Sequence, residues 1–414
     1  MKQRARVLFV EQFYYPDGWG GAELPRDLTG HLARSGFHVE VICGSDQYAP
    51  VTGEPGEDPR TLGVRILRLR ALLKGDVHVH KLLRQLWFYA GLIPKLFFRR
   101  PPDLFASQTN PPAAVPMVAL AARVWRKPYL LIAMDVYPEV LIAHGTLPAG
   151  SAPARFLNWM FRAAYRSARC VVALGPVMAR RLIEKGVKEH RVTEISNWST
   201  GKAGIVRGSA NRLRSEWGLQ ENFVLVYSGN LGIGHEFETL LAGFARALQR
   251  CPTLRLVVIG KGSRLADVTR LSVELGLRDA VRFSELLPAD RLPESIGLAD
   301  LAVVTLRPGF EGLIVPSKLL GYMSRGVPVL YIGPESDIGD LIGRYRCGIA
   351  RSTGDVAGVA EAILESQQNP DQLAGMGAAA KAAYDAHLAR KHGLARYEAA
   401  VRACLASRVE SRTG

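Results

Sequence analysis

A pair of glycines before a predicted helix is the first feature of this sequence that could bind a charged ligand. Gly20 and Gly21 end the segment YYPDGWGG, residues 14–21. The first turn of a helix exposes backbone N–H groups at the positive end of the helix dipole, so it attracts phosphate. The segment therefore predicts a diphosphate site, with a tight turn that needs glycine for its backbone angles as the alternative. It lacks Gly-x-Gly-x-x-Gly, which argues against a dehydrogenase.

The second feature is a basic, aromatic segment, which we assign to residues 78–102. Its uncharged stretch, residues 85–94, has only ten residues, whereas about 20 are needed to span a bilayer. A segment of this composition can lie in the headgroup layer of an anionic membrane. The alternative is a helix whose apolar face packs on its own domain. The aromatic residues concerned are Trp87, Phe88, Tyr89, Phe97 and Phe98.

The elements that must position these residues alternate between strands and helices. Short apolar runs bounded by turns predict strands, and an amphipathic helix at residues 21–36 separates the first two. Such alternation predicts an α/β fold with parallel sheets. The predicted strands are residues 6–13, 38–43, 64–69, 104–107, 129–134 and 170–174 in a first series, and residues 223–229, 254–260, 280–285, 301–306 and 328–333 in a second.

The length of the chain and one polar linker predict two domains. A chain of 414 residues is longer than one hydrophobic core usually serves. Residues 200–211 are small and polar, as is typical of a linker. We expect one Rossmann-like domain at residues 1–199 and another at residues 212–385. We also expect a C-terminal helix at residues 386–414 that crosses back to the first domain, because the alanine-rich residues 375–406 favour helix.

Cysteine spacing and the start of the chain bear on the compartment. The five cysteines lie far apart and form no Cys-x-x-Cys pair, which argues against a disulfide framework and a zinc site. The apolar run that begins at Val7 is short and meets Glu11, unlike a signal peptide. We therefore expect a cytoplasmic protein with reduced, buried thiols.

The net charge of +15 is concentrated in one region. Residues 60–127 hold thirteen Lys or Arg against two acids, Asp76 and Asp103. This distribution favours contact with an anionic membrane surface at the inner face of the membrane. Nucleic-acid binding is not expected, because no recognised nucleic-acid-binding module is present.

Several motifs, in this order and spacing, resemble retaining GT-B glycosyltransferases of family 4. They are most similar to the branch that builds bacterial surface polysaccharides, such as colanic acid and O-antigen sugar transferases. The resemblance covers nearly the whole chain and implies two Rossmann-like domains that face each other across a cleft. The motifs are GFHVEVIC (36–43), AMDVYPEV (133–140), VVALGPVMARRLIEKGV (171–187), ISNWS (195–199), YSGNLG (227–232) and VPSKLLGYMSRGVPVL (315–330).

The resemblance implies donor contacts in both domains. The family commonly places an Arg and a Lys in the loop after the first strand of the second domain, where this chain has Asn230 and His235. Lys318 is the expected replacement, because a flexible ammonium can neutralise a diphosphate; a solvated lysine at a helix start is the alternative. The implied donor-binding residues are Gly20, Gly21, Gly229, Asn230, His235, Gly260, Gly262, Leu286, Gly312, Leu313, Ser317 and Lys318.

Two glutamates of the family are replaced in this chain. The one near the donor sugar corresponds to Leu313, and the one on the nucleotide ribose corresponds to Gly321. Glu311, two residues before Leu313, is the candidate to act near the sugar. Because of these replacements, the alternative remains open that this chain is a catalytically impaired homologue, which only binds sugar nucleotides or acts as a scaffold for a partner.

Acceptor contacts are implied by the segment DVYPE, residues 135–139. The surface-polysaccharide branch often has this pattern, which makes Asp135 and Glu139 candidates to bind acceptor hydroxyls. Pro138 argues against one regular helix that carries both acids. An acid that caps the following segment is the alternative, more so for Glu139. The catalytic candidates are thus Asp135, Glu311 and Lys318.

The implied reaction is retaining transfer of a hexosyl or N-acetylhexosaminyl group. The donor is a nucleotide sugar, with UDP expected and GDP or dTDP open, and the acceptor is a saccharide or is lipid-linked. No cofactor or metal is expected, because the chain has no Asp-x-Asp and an ammonium with helix N-termini can stabilise the departing diphosphate. A sugar-nucleotide epimerase of the same fold is a further alternative.

Overall fold

The chain forms two compact units, each built on its own sheet. The computed structural model describes residues 4–16, 20–44, 57–69, 78–199, 204–207, 210–288 and 291–406. Residues 1–196, 312–314 and 391–414 form the N-terminal unit, and residues 197–311 and 315–390 form the C-terminal unit. Half of the predicted linker, residues 200–203 and 208–209, lies outside the described residues.

The N-terminal unit contains a parallel sheet of seven strands in the order β3-β2-β1-β4-β5-β6-β7. The three strands β4, β5 and β6 are buried at every residue, which is typical of parallel strands covered on both faces. The strands are β1 (Arg6–Val10), β2 (His38–Gly44), β3 (Arg65–Leu69), β4 (Leu104–Gln108), β5 (Tyr129–Ile132), β6 (Cys170–Ala173) and β7 (Val192–Glu194).

Helices cover this sheet. The first helix ends as predicted, because Gly36 takes a positive φ of 91° just beyond it. The third helix packs against both the second and the fifth, so these three lie side by side in one layer. The helices are α1 (Gly20–Arg34), α2 (His78–Phe97), α3 (Ala114–Val124), α4 (Glu139–Ala143), α5 (Ala152–Ser167) and α6 (Pro176–Glu184), with 3-10 turns at Pro59–Leu62 and Glu189–Arg191.

The C-terminal unit contains a parallel sheet of six strands in the order β10-β9-β8-β11-β12-β13. Every strand predicted from the sequence is present, and β7 and β13 are additions. The sequence of β13, GIAR, gave no strand signal because glycine has low β propensity. The strands are β8 (Phe223–Ser228), β9 (Leu254–Ile259), β10 (Val281–Ser284), β11 (Leu301–Thr305), β12 (Val329–Ile332) and β13 (Gly348–Arg351).

The helices of the C-terminal unit enclose its apolar core. The eighth and thirteenth helices of the chain pack against each other, and Gly243 permits this because a Cβ there would lie 2.5 Å from Val359. The helices are α7 (Arg212–Glu216), α8 (Glu238–Arg250), α9 (Leu265–Glu274), α10 (Leu292–Gly297), α11 (Lys318–Met323), α12 (Asp337–Tyr345), α13 (Val356–Gln368) and α14 (Pro370–Ala383).

The alanine-rich residues 375–406 are helical for most of their length, but in two helices and not one. After α14 the chain forms a π-helical turn, Tyr384–Leu388, and an extended residue, Ala389, before α15 (Arg390–Ala406) begins. The break lies where the chain passes from the C-terminal unit to the N-terminal unit. Alanine propensity does not encode such a tertiary boundary.

The last helix packs on α1 within the N-terminal unit. Glu398 of α15 accepts a hydrogen bond from Ser35 at 2.7 Å and pairs with His31 at 2.8 Å. Arg402 lies over the ring of Phe37 at 4.9 Å. These contacts attach the end of the chain to the N-terminal unit.

The basic, aromatic segment forms α2, whose aromatic residues divide between the two expected roles. Phe88, Leu92 and Leu96 follow helical spacing and are buried, so this stripe packs on the unit itself. Trp87 and Phe98 are 44% and 82% exposed. Of the two alternatives, packing on the unit itself therefore holds for Phe88, whereas the exposed side chains of Trp87 and Phe98 leave the membrane alternative open.

Candidate functional site

The C-terminal unit holds a lysine–histidine pair at the carboxyl ends of its strands, where ligands of parallel α/β sheets bind. Lys318 is the first residue of α11, and its Nζ donates to Nε2 of His235 at 3.0 Å. The same Nζ donates to the backbone oxygen of Asn230 at 3.2 Å. Three predicted donor-binding residues therefore form one network.

Its partners fix the tautomer of His235. The Nδ1 atom lies 2.9 Å from the carbonyl oxygen of Thr305, which can only accept, so Nδ1 carries the proton and Nε2 accepts from Lys318. Burial, and after it the charge of Lys318, lowers the pKa of His235 to about 3. The ring is therefore neutral at physiological pH.

Lys318 is an ammonium held in a partly desolvated position. Burial lowers its pKa to about 7. Its Nζ also lies 4.7 Å from the centre of the Tyr227 ring, whose face attracts a cation. Within the described residues two of its three N–H donors are used, by Asn230 and His235, so one remains to bind an anion.

Gly229 leaves the space that Lys318 occupies. A Cβ at residue 229 would lie 2.7 Å from Cε of Lys318, and the φ of 128° further excludes other residues. Gly260 and Gly262 have a different role, since Cβ atoms there would meet the backbone oxygens of Gly229 and Leu231 at 1.9 and 2.3 Å. These two glycines let the loops after β8 and β9 pack backbone to backbone.

The structure gives other predicted donor residues separate local roles. Gly20 and Gly21 open α1 itself, whereas the sequence placed them just before it; residues 17–19 lie outside the described residues. Leu286 is 54% exposed in the segment after β10. Ser317 precedes α11 without a capping side-chain hydrogen bond. Glu311 accepts a hydrogen bond from the backbone N–H of Gly309 at 2.7 Å, which closes its own turn.

Asp135 of the N-terminal unit follows β5. Its backbone N–H donates to Oγ1 of Thr109 at 2.9 Å, and an antiparallel bridge joins it to Ile314. Burial raises the pKa of its carboxyl to about 6. No hydrogen bond to this carboxylate is present in the described part of the chain, so its oxygens are available to accept a ligand hydroxyl.

Glu139 begins α4 and lies in a pocket of about 180 Å³. Its Oε1 accepts from Nζ of Lys185 at 2.6 Å, and Lys185 also donates to Asn158 at 3.0 Å. The buried Oε2 atom has no hydrogen-bond partner among the described residues. An acceptor hydroxyl would satisfy it. The pocket is lined by Val136, Glu139, Asn158, Arg162, Arg181, Glu184, Lys185 and Leu313.

Gly312 and Leu313 belong to the N-terminal unit, unlike Lys318. Leu313 is buried, and its backbone oxygen accepts from Val136 at 3.0 Å. Gly312 has a φ of 69°, and a Cβ there would lie 2.9 Å from the oxygen of Val177. Leu313 thus supports the segment around Asp135, whereas Gly312 packs against α6.

Sequence reasoning did not identify four residues that contact the candidate site residues. Tyr227 and Thr305 support the lysine–histidine pair, and Thr109 and Lys185 support the two acids. Tyr227 and Thr305 lie in the last two residues of β8 and β11, and Thr109 directly follows β4. Their position at strand ends was a usable signal. Lys185 had none, because it follows a helix.

The described residues contain neither a metal-binding cluster nor a membrane-spanning helix. No cluster of three or more His, Cys, Asp or Glu side chains is placed to hold a metal ion there. Nor does any helix in that part of the chain combine the length and hydropathy needed to cross a membrane.

Two segments of the sequence match known protein families. Residues 20–198 match a glycosyl transferase 4-like domain, and residues 222–369 match glycosyl transferases group 1. The chain is 29% identical to the probable glycosyltransferase WbjE of Pseudomonas aeruginosa over 56% of this chain and 57% of WbjE. It is 27% identical to the putative colanic acid biosynthesis glycosyl transferase WcaI of Escherichia coli K12 over 46% of this chain and 49% of WcaI. The chain thus spans about half the length of these curated relatives.

Among solved structures the chain is similar to Anabaena HepE in complex with UDP and glucose. The TM-score is 0.69 at 18% identity, over 98% of this chain and 100% of the HepE chain. Together with the two parallel sheets, this similarity confirms the predicted two-domain α/β fold of the GT-B type.

Proposed function

This chain belongs to the family 4 glycosyltransferases of the GT-B fold, and on that premise we propose that it transfers a sugar, with retention, from a nucleotide sugar to a saccharide or lipid-linked acceptor. The product belongs to a surface polysaccharide or glycoconjugate. The transferred group is a hexosyl or N-acetylhexosaminyl group. WbjE and WcaI carry names of this kind, which supports the proposal.

The observation that carries the proposal is the environment of Lys318. An ammonium that is held by two acceptors and a ring face, with one N–H remaining, suits a diphosphate oxygen. Gly229 keeps this position open. A solvated lysine at a helix start would not need a glycine to make room for it.

In the proposed reaction the bond between the anomeric carbon and the diphosphate oxygen breaks, and its electron pair leaves with the diphosphate. The acceptor oxygen forms the new bond to that carbon, and its proton passes to the diphosphate. Lys318 stabilises the negative charge that grows on the leaving group, which lowers the barrier. This step requires no metal ion.

We assign the acceptor to the N-terminal unit. The Asp135 carboxylate and the Oε2 atom of Glu139 are acceptors without hydrogen-bond partners in the described structure. Each can accept from a sugar hydroxyl. Asp135 ionises near pH 6, so at neutral pH it binds and orients the attacking hydroxyl.

The donor is tested by thermal unfolding in the presence of UDP, GDP, dTDP and ADP. A nucleotide that binds only the native state raises the apparent stability, and we expect UDP to do so most. The HepE complex with UDP supports this expectation. Lys318→Ala should abolish the shift. Stabilisation by none of the four would overturn the proposal.

Transfer is tested with a labelled sugar nucleotide of the base so identified. Release of nucleotide and labelled product, lost in Lys318→Ala, is the expected result. Binding without hydrolysis or transfer would instead identify the chain as an impaired homologue, for which the Leu313 and Gly321 replacements are the specific observation.

We propose that the reaction takes place at the inner face of the membrane. The cytoplasmic leaflet is anionic, and the excess of Lys and Arg in residues 60–127 is complementary to it.

A further inference from the structure

One layer of the N-terminal unit carries most of the exposed apolar side chains in the described structure. Thirteen large apolar side chains are exposed among the described residues, and nine lie on α2, on α3, on α5 or directly after α2. Because α3 packs against both α2 and α5, these three helices are neighbours. The nine are Leu83, Leu86, Trp87, Ile93, Phe98, Leu120, Val124, Phe156 and Trp159.

The outer face of α5 combines arginines with aromatic rings. Arg155, Arg162 and Arg166 follow a spacing of seven and four residues, which places them on one side of a helix. Phe156 and Trp159 lie on the same side, 59% and 67% exposed, with ring centres 5.9 Å apart. A depression of about 360 Å³ lies on this face, lined by Arg155, Asn158, Trp159, Arg162, Ala163 and Arg166.

This face is unlike an ordinary solvated helix surface. Solvated helices usually pair arginine with an acid three or four residues away, but α5 contains no Asp or Glu. No carboxylate of the described chain lies within ion-pair distance of Arg155, Arg162 or Arg166. Exposed contiguous apolar surface also marks interaction sites. The face therefore lacks both an anion and an apolar partner.

We propose that the outer face of α5, with the exposed apolar residues of α2 and α3, docks onto an anionic phospholipid bilayer. The arginines bind lipid phosphates, while the aromatic and aliphatic side chains enter the interfacial layer. The aliphatic side chains decide the partner. Leu83, Leu120 and Val124 have no base to stack on in a nucleic acid, whereas acyl chains bury them.

The same face adjoins the pocket around Glu139. Asn158 and Arg162 line both depressions. An acceptor anchored in the bilayer can therefore reach Glu139 from the α5 side. This step rests on the proposed function and makes the acceptor lipid-linked; docking itself does not depend on it.

The test is sedimentation with vesicles of phosphatidylcholine, with and without phosphatidylglycerol. We expect the wild-type chain to bind the anionic vesicles, and the triple variant Arg155→Ser, Arg162→Ser, Arg166→Ser to bind on the order of 100-fold more weakly. The matched control is Arg246→Ser, Arg278→Ser, Arg344→Ser on the C-terminal unit. These arginines are exposed too, and their loss changes net charge equally.

Retention of vesicle binding in the α5 variant, or an equal loss in the control, would overturn the proposal. So would equally tight, α5-dependent binding of single-stranded DNA at the same salt, which would identify a general polyanion site. Thermal unfolding of each variant verifies the fold.

Bromine-labelled lipid supplies a second readout. Bromine quenches tryptophan fluorescence only at close range, so Trp159→Phe should keep vesicle binding and lose part of the quenching. Unchanged quenching would exclude Trp159 from the bilayer. Lys318→Ala should bind vesicles normally. Because vesicle binding is measured without donor, failure of docking and failure of the transferase proposal remain distinguishable.

Discussion

Lys318 donates to Nε2 of His235 at 3.0 Å, and His235 in turn donates from Nδ1 to the carbonyl oxygen of Thr305 at 2.9 Å. The hydrogen bonds run in one direction, from the ammonium to the end of β11. Protonation of His235 would break the bond to Lys318 and place two cations together. A neutral histidine thus positions an ammonium where the family commonly has two cationic side chains.

Replacement of Lys318 by alanine should lower turnover by roughly 100- to 1000-fold, the usual effect of removing one group that stabilises transition-state charge. The fold should persist, because burial opposes the charge of this ammonium. Steady-state kinetics and thermal unfolding are the measurements. Unaltered kinetics at saturating and subsaturating donor would remove Lys318 from the phosphate site.

Affinity for UDP should fall as pH rises above 7. The pKa of Lys318 in the folded protein is about 7, below the ordinary 10.5, so the ammonium is lost through this range. Since the diphosphate binds the charged form, the Kd should rise about tenfold per pH unit above the pKa. Calorimetry across this range measures it. Lys318→Arg keeps its charge and should give a flat profile; a sloped one would assign the titration elsewhere.

Gly229→Ala should weaken UDP binding although it replaces no charged residue. Its Cβ would lie 2.7 Å from Cε of Lys318, so the lysine must move. The φ of 128° adds strain of about 1–3 kcal/mol. Gly218→Ala is the matched control, because residue 218 has a φ of 65° and open space around it. Urea unfolding should show both losing stability, and calorimetry should show only the first losing affinity.

Asp135→Asn should remove an acid limb near pH 6 from the pH profile of kcat/KM for the acceptor. The folded pKa of Asp135, about 6, lies above its ordinary 3.8. Stability from this group is therefore present below pH 3.8 and is lost as pH rises through 6. The variant should thus gain stability relative to wild type at pH 7 and not at pH 3.8. Urea unfolding at both pH values measures this, and a uniform offset would contradict it.

Phe88→Ala and Trp87→Ala should separate the two sides of α2. Phe88 is 5% exposed, so its truncation should cost about 3–5 kcal/mol of the free energy of unfolding. Trp87 is 44% exposed, and its loss should change stability by less than about 0.5 kcal/mol but weaken vesicle binding. Urea unfolding and vesicle sedimentation test this pair. If Trp87→Ala were instead the more destabilising of the two variants, Trp87 and not Phe88 would face the core of the unit.

Sequence reasoning named three members of the lysine–histidine network, but it did not show what surrounds each predicted residue. Asn230 and His235 were named because the resemblance places them where the family commonly has Arg and Lys, and Lys318 was named as the replacement for that charge. Gly260 and Gly262 were expected under a nucleotide, yet their nearest neighbours are the backbones of Gly229 and Leu231. A one-dimensional pattern cannot distinguish a glycine that admits a ligand from one that admits another loop.

The outer face of α5 shows the other limit. Its arginines and aromatic rings are visible in the sequence, but burial of the opposite side by Phe161 and Tyr165, and the absence of an ion pair to the described chain, are not. Only the position of neighbouring helices shows which residues remain exposed.

The sequence by itself determined the alternation of strands and helices, because this follows from local periodicity and propensity, and it predicted chemistry in the loops that follow the strands. The tertiary structure decided the tautomer of His235, the raised pKa of Asp135, the burial of Phe88 and the break before α15. Each of these depends on groups far apart in the chain, since desolvation and hydrogen-bond partners arise only when distant segments pack together.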